Sequence, residues 1–140
     1  MGKKKTIVIL LTHGNLAQSL IETAKMIMGE MNDIVSINFP KEMNVLKLEN
    51  RLDKLINKNK GNNIIIFIDM FGGSCLNVCC KYLSDSRIRI FSGINLPILL
   101  ETMTTKDYLP FPQLIDKIKK KLSSAMLDVN EKTNTCEINK

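Results

Sequence analysis

Ile64-Ile65-Ile66-Phe67-Ile68, followed at once by Asp69-Met70-Phe71-Gly72-Gly73-Ser74, is the stretch that decides the fold. Five consecutive apolar residues, all β-branched or aromatic and without alternation, describe a strand covered on both faces. Asp69 and the glycine pair stop it. Beyond them, Leu76–Leu83 carries a helical pattern. A doubly buried strand therefore turns into a helix, which is the opening half of a βαβ unit.

Toward the N-terminus the same grammar repeats. Thr6–Thr12 is a second short β-rich run, broken by His13-Gly14-Asn15. Leu16, Leu20, Ala24, Ile27 and Met28 then recur at helical spacing before Gly29, a natural C-cap. Asp33–Phe39 predicts a weaker strand closed by Pro40. Val45, Leu48, Leu52, Leu55 and Ile56 predict a helix ending near Asn59-Lys60-Gly61. Toward the C-terminus, Arg87–Phe91 predicts a fourth strand, and Ser92–Pro97 a turn into a helix with Pro97 in its first turn. Phe111–Met126 predicts a last amphipathic helix bearing Lys117 and Lys119–Lys121, and Thr133–Ile138 carries a marginal strand signal. The alternation predicts one α/β domain over residues 1–128, with a mainly parallel sheet in the order 2-1-3-4 and helices on both faces. Residues 129–140 form a polar tail.

The composition agrees and excludes several classes. With 140 residues the chain makes one domain, able to bury roughly two thirds of its unfolded surface. At 44% hydrophobic and 24% charged it is not a disordered chain. Of the four cysteines, Cys75, Cys79 and Cys80 fall within six residues, too close to span a fold, which argues against a disulfide framework. No C-x-x-C pair exists and the single histidine, His13, is far from them in sequence, which argues against a zinc site. Reduced thiols and a cytoplasmic location are expected. The apolar run Ile7–Leu11 behind Lys3–Lys5 is too short for a signal sequence or a membrane span. Met1–Thr6 also fits the loose myristoylation pattern, but Thr6 opens a core strand.

In open α/β sheets ligands bind beyond the carboxyl ends of the strands, where strand order reverses. His13 and Asp69 stand at two such ends, and a 2-1-3-4 order makes their strands neighbours, bringing together residues 56 positions apart. A carboxylate that accepts the Nδ1–H bond fixes the imidazole tautomer, stabilises the cationic ring and leaves Nε2 as a nucleophile. That suits a reversible phosphoryl acceptor. Gly72-Gly73-Ser74 before a helix offers backbone N–H groups and a hydroxyl to phosphate oxygens, and Gly14 permits close backbone approach. Taken singly, each has a plainer reading: a surface histidine, a turn, or a helix cap.

These residues carry a resemblance. Thr12-His13-Gly14, the helix end Met28-Gly29-Glu30, Ile68-Asp69-Met70-Phe71-Gly72-Gly73-Ser74 through Asn77, and Gly93–Ile98 with Leu100-Glu101 together resemble the enzyme IIA domain of the mannose-type sugar phosphotransferase system, from about Ile7 to Glu101. The resemblance implies that His13 carries phosphate on Nε2, that Asp69 orients it, and that Ser74 is a phosphate ligand, with Gly73 and Gly14 beside it. It implies protein partners: the histidine carrier protein HPr as donor and the enzyme IIB component of a membrane sugar permease complex as acceptor. It further implies a homodimer that exchanges a C-terminal strand, and neither a cofactor nor a metal. Family members often carry Thr after the Asp and Pro after the Ser, where this chain has Met70 and Cys75. The related branch that feeds dihydroxyacetone kinase, and regulators with similar domains, are the nearest variants of this reading. The run Phe71–Asn77 favours the sugar branch.

Other classes compete with it. A Ser74–His13–Asp69 hydrolase lacks G-x-S-x-G and needs Ser74 within reach of His13 Nε2. A Cys75 nucleophile would draw a lowered pKa from a helix N-terminus, whereas Cys79 and Cys80 read as small buried residues. The net charge of +6 raises a nucleic-acid-binding module, but two Tyr and five Phe provide little stacking surface and no recognition motif is present. A dinucleotide binder lacks G-x-G-x-x-G after the first strand.

Overall fold

In the computed structural model, which describes residues 4–132, β1 (Thr6–His13), β2 (Ile34–Phe39), β3 (Asn63–Ile68) and β4 (Ile88–Ser92) form one sheet of four parallel strands in the order β2-β1-β3-β4. The helices are α1 (Leu16–Met28), α2 (Val45–Lys58), α3 (Gly73–Cys79), α4 (Leu96–Thr105) and α5 (Phe111–Lys121). The α/β class and strand order are those the sequence predicts. The strand signal at Thr133–Ile138 lies outside the described residues.

The sheet is sandwiched because β1 and β3 are apolar on both faces. Ile7, Ile9, Leu11, Ile64, Ile66 and Ile68 point to one side, where Leu48, Leu52 and Ile56 of α2 and Cys75, Val78 and Cys79 of α3 cover them. Val8, Leu10, Ile65 and Phe67 point to the other, under α1, α4 and α5. Phe67 is wholly buried, worth about 1.5–3 kcal/mol relative to exposure. Two central strands of this kind fix the register, because a slip of one residue would exchange the two faces.

Helix ends follow local chemistry. Gly29 closes α1 at φ +84°, its N–H donating to the Lys25 carbonyl. Asn44 and Asn95 cap α2 and α4 by accepting from the Lys47 and Ile98 N–H groups at 2.8 and 3.0 Å. Replacing Asn95 by Ala should lower stability by about 1 kcal/mol, read as a lower urea midpoint at unchanged slope. Lys119–Lys121 occupy the last turn of α5, where cations offset the helix dipole.

Two boundaries differ from expectation. The third helix starts at Gly73 rather than Leu76 and yields to a 3-10 turn at Cys80–Tyr82. Gly72 and Gly73 at φ +116° and +77° make a turn tight enough to start the helix inside the glycine motif. The last helix ends at Lys121, passing into a 3-10 turn over Leu122–Ser124 instead of reaching Met126. Met126 and Leu127 are exposed, so the apolar stripe has nothing to pack on there. Among the described residues no helix is long and apolar enough to cross a membrane.

Candidate active site

His13 is the last residue of β1 and Asp69 follows β3, so the pairing of these two strands sets the site. Asp69 Oδ2 accepts two bonds from His13, one from the backbone N–H at 3.0 Å and one from the ring Nδ1–H at 2.9 Å. Its other oxygen accepts the Met70 N–H at 3.0 Å. With both oxygens engaged the carboxylate cannot turn, and an ionised acceptor assigns the proton to Nδ1. Nε2 then carries the free lone pair. The histidine side chain is 43% exposed and the aspartate 13%, so the orienting group is sheltered while the ring is open.

Burial acts to raise the Asp69 carboxyl, but the bonds and charge from His13 prevail and hold it below its ordinary value. The ring is also steadied by Phe39 at the end of β2, with centroids 5.8 Å apart. Among the glycines, Gly73 comes closest to the Nε2 edge of the ring. A Cβ built on it would lie 3.7 Å from His13 Nε2 and Cε1, which leaves its bare backbone beside the reactive nitrogen. Gly14 sits at φ +58° and donates its N–H to the Phe39 carbonyl, turning the chain sharply after the histidine. Ser74 is half-buried one residue further along α3. His13, Asp69, Gly73, Gly14 and Ser74 therefore all lie at or just beyond the carboxyl ends of β1 and β3.

Sequence reasoning missed two supports. Thr12 is fully buried and its Oγ1 accepts the Ala17 N–H at 2.7 Å, which caps the first turn of α1 where Asn15 makes no side-chain cap. Its position in Thr12-His13-Gly14, four residues before the helix, is the signal that was there to read. Phe39 had no local signal, because only the β1–β2 pairing brings it to His13.

The cysteine readings need correction. Cys75 is fully buried, and burial first, then the Asp69 charge, pushes its thiol up to about 12. It is no activated nucleophile, because desolvation outweighs any pull from the short α3. Cys79 is buried as expected, with its thiol also pushed up to about 12 by burial. Cys80 instead is exposed, at the point where α3 becomes a 3-10 turn. The distance in sequence between His13 and Cys75 does not survive folding either: Sγ lies 3.8 Å from Nδ1. Among the described residues Ser74 makes no hydrogen bond to His13, so the contact that a serine hydrolase requires is missing.

A doubly wound sheet with a carboxylate-oriented histidine at its switch point has the arrangement that a reversible phosphoryl acceptor needs. A family model for the fructose IIA component of the phosphotransferase system matches residues 7–119, and the chain belongs to this mannose-type enzyme IIA family, whose members are phosphotransferases that carry phosphate on histidine. It is 29% identical over 114 residues to the fructose-specific EIIA component of Bacillus subtilis, covering 80% of this chain and 78% of that one. It is 31% identical over 114 residues to the mannose-specific EIIAB component of Escherichia coli, covering 79% of this chain and 35% of that longer protein. In fold it is similar to an EIIA component from Streptococcus agalactiae, with a TM-score of 0.82, 24% identity, and coverage of 90% and 98%.

Proposed function

We propose that His13 receives a phosphoryl group on Nε2 from HPr and passes it to an enzyme IIB component, within a cytoplasmic relay serving a membrane sugar permease complex. The observation that carries this is the 2.9 Å contact of Nδ1 with Asp69 Oδ2 under a ring whose other nitrogen is open. In the forward step the Nε2 lone pair attacks phosphorus. The donor's phosphorus–nitrogen bond breaks, and the donor imidazole leaves with that electron pair. The ring becomes cationic, and Asp69 stabilises it across the Nδ1–H bond. Transfer to IIB is the same step reversed on a new acceptor. Backbone N–H groups around Gly73 and the Ser74 hydroxyl receive the phosphate oxygens, while Gly14, its own N–H held by the Phe39 carbonyl, turns the chain away and leaves room for them.

The rim of the site suits a protein partner. The loop after Asp69 presents Met70 and Phe71, with Phe71 81% exposed, and Leu16 is exposed three residues after His13. Exposed apolar side chains around a charged centre fit docking between proteins better than binding of a free sugar. Sugar choice then belongs to the membrane components. Replacing Ser74 by Ala should slow transfer only several-fold, because the backbone donors remain; a quenched-flow time course against phosphorylated HPr reads this.

The homodimer belongs to this reading as well. Strand β4 pairs only with β3 among the described residues, so its outer edge is free to take a further strand. Sedimentation should give a dimer for the full chain and a monomer for a chain ended after residue 132.

The relay is tested by incubating the protein with phosphoenolpyruvate, enzyme I and HPr, and measuring intact mass before and after adding IIB. One acid-labile phosphate should appear and then leave with IIB present. A chain that stays unphosphorylated with its cognate, active carrier would contradict the proposal.

A further inference from the structure

His13 Nδ1, Asp69 Oδ2 and Cys75 Sγ converge beside the imidazole. All three donors lie within 4.8 Å of one another, with Nδ1 2.9 Å from Oδ2 and 3.8 Å from Sγ. Tetrahedral zinc with bonds of about 2.0–2.3 Å needs donors about 3.3–3.6 Å apart. The two short distances bracket that range, and the Oδ2–Sγ separation, no more than 4.8 Å, reaches it when the side chains close by somewhat more than an ångström at most. An imidazole nitrogen, a carboxylate oxygen and a sulfur suit a borderline-soft cation such as Zn2+, whereas Mg2+ and Ca2+ prefer oxygen alone. The donors are not a chance surface grouping, since Cys75 is fully buried in the α3 face of the core and Asp69 is pinned by two backbone N–H groups.

We propose that these three side chains form a zinc site, with water in the fourth position, and that zinc there turns the Nε2 nucleophile off. The switch follows from the imidazole's single ring proton. Zinc takes the Nδ1 lone pair, so the proton that Nδ1 donated to Asp69 must reside on Nε2. The Cys75 thiol proton passes to solvent as the thiolate binds, so one proton is released per zinc. A protonated Nε2 has no lone pair to attack phosphorus. Asp69 changes from hydrogen-bond acceptor to ligand. The switch rests on the phosphoacceptor reading given above, whereas the site itself does not.

The full chain titrated with Co2+ as a spectroscopic probe should bind one equivalent and show a sulfur-to-cobalt charge-transfer band that added Zn2+ removes. Cys75→Ser and Cys75→Ala should both lose the band and bind at least about tenfold more weakly, while Cys80→Ser keeps both properties. No band in the wild-type chain, or a band that survives in both Cys75 variants, would overturn the site. In the phosphorylation assay, Zn2+ should depress the wild-type initial rate at least about tenfold more than that of Cys75→Ser, each compared with its own zinc-free rate. Equal zinc sensitivity of the two chains would overturn the switch. A metal-free wild-type chain that takes up no phosphate would instead count against the phosphoacceptor reading, and the cobalt spectra would still decide the site.

Discussion

His13→Ala should fold and take up no phosphate from HPr, with the rate falling by more than about 10^4-fold, the order lost when a nucleophile is removed from a catalytic unit. The chain has a single histidine, so no second imidazole can substitute. The cost to stability should be small by comparison. The ring is 43% exposed, and Asp69 keeps the backbone N–H bonds of residue 13 and Met70 when the ring is gone. Losing one bond to a charged acceptor costs about 1.5–3 kcal/mol. Intact mass after incubation with the phosphorylating components, alongside a urea melt, separates the two effects. A variant that still gains an acid-labile phosphate would remove His13 from the mechanism.

Asp69→Asn should slow transfer by about 10^2–10^4-fold while leaving the fold in place, by analogy with loss of the orienting carboxylate in other histidine-based sites. The carboxylate accepts three N–H groups, two on Oδ2 and one on Oδ1. An amide has one oxygen, so its NH2 must face at least one of those donors. It also brings no charge to stabilise the cationic phosphohistidine. Single-turnover transfer from phosphorylated HPr measures the effect, and a wild-type rate would end the orienting role. The same substitution alters acid stability. Asp69 is held below its ordinary value by His13 in the folded chain. Its contribution is therefore full above the unfolded value of about 3.9 and is lost as pH falls through the lower folded value. Between neutral pH and pH 3 the wild-type chain should lose more stability than Asp69→Asn, read from urea midpoints at each pH.

Legibility differs between elements for physical reasons. Ile64–Ile68 and Thr6–Thr12 could be read because strands covered on both faces leave no polar alternation, and their spacing from the helical stripes implied parallel pairing. Gly29 could be read because caps act within four residues. The start of α3 could not, since propensity sets glycine against helix while the positive φ angles of Gly72 and Gly73 are settled by the turn between β3 and the core. Cys80 is exposed because it follows Cys79 by one residue, and helical rotation turns it off the face that Cys75 and Cys79, four residues apart, share.

For the site, the sequence alone determined the candidates and where they stand, His13 and Asp69 at strand ends and Ser74 just after the glycine pair. It did so because strand termini and turn glycines are local properties of the chain. Only the tertiary structure decided how they meet. Parallel pairing of β1 with β3 turns 56 residues of separation into a 2.9 Å contact, and packing of α3 brings the Cys75 sulfur, 62 residues away, to 3.8 Å from the same nitrogen. Contacts of that kind depend on register and burial, which the whole core sets at once and no short stretch of sequence encodes.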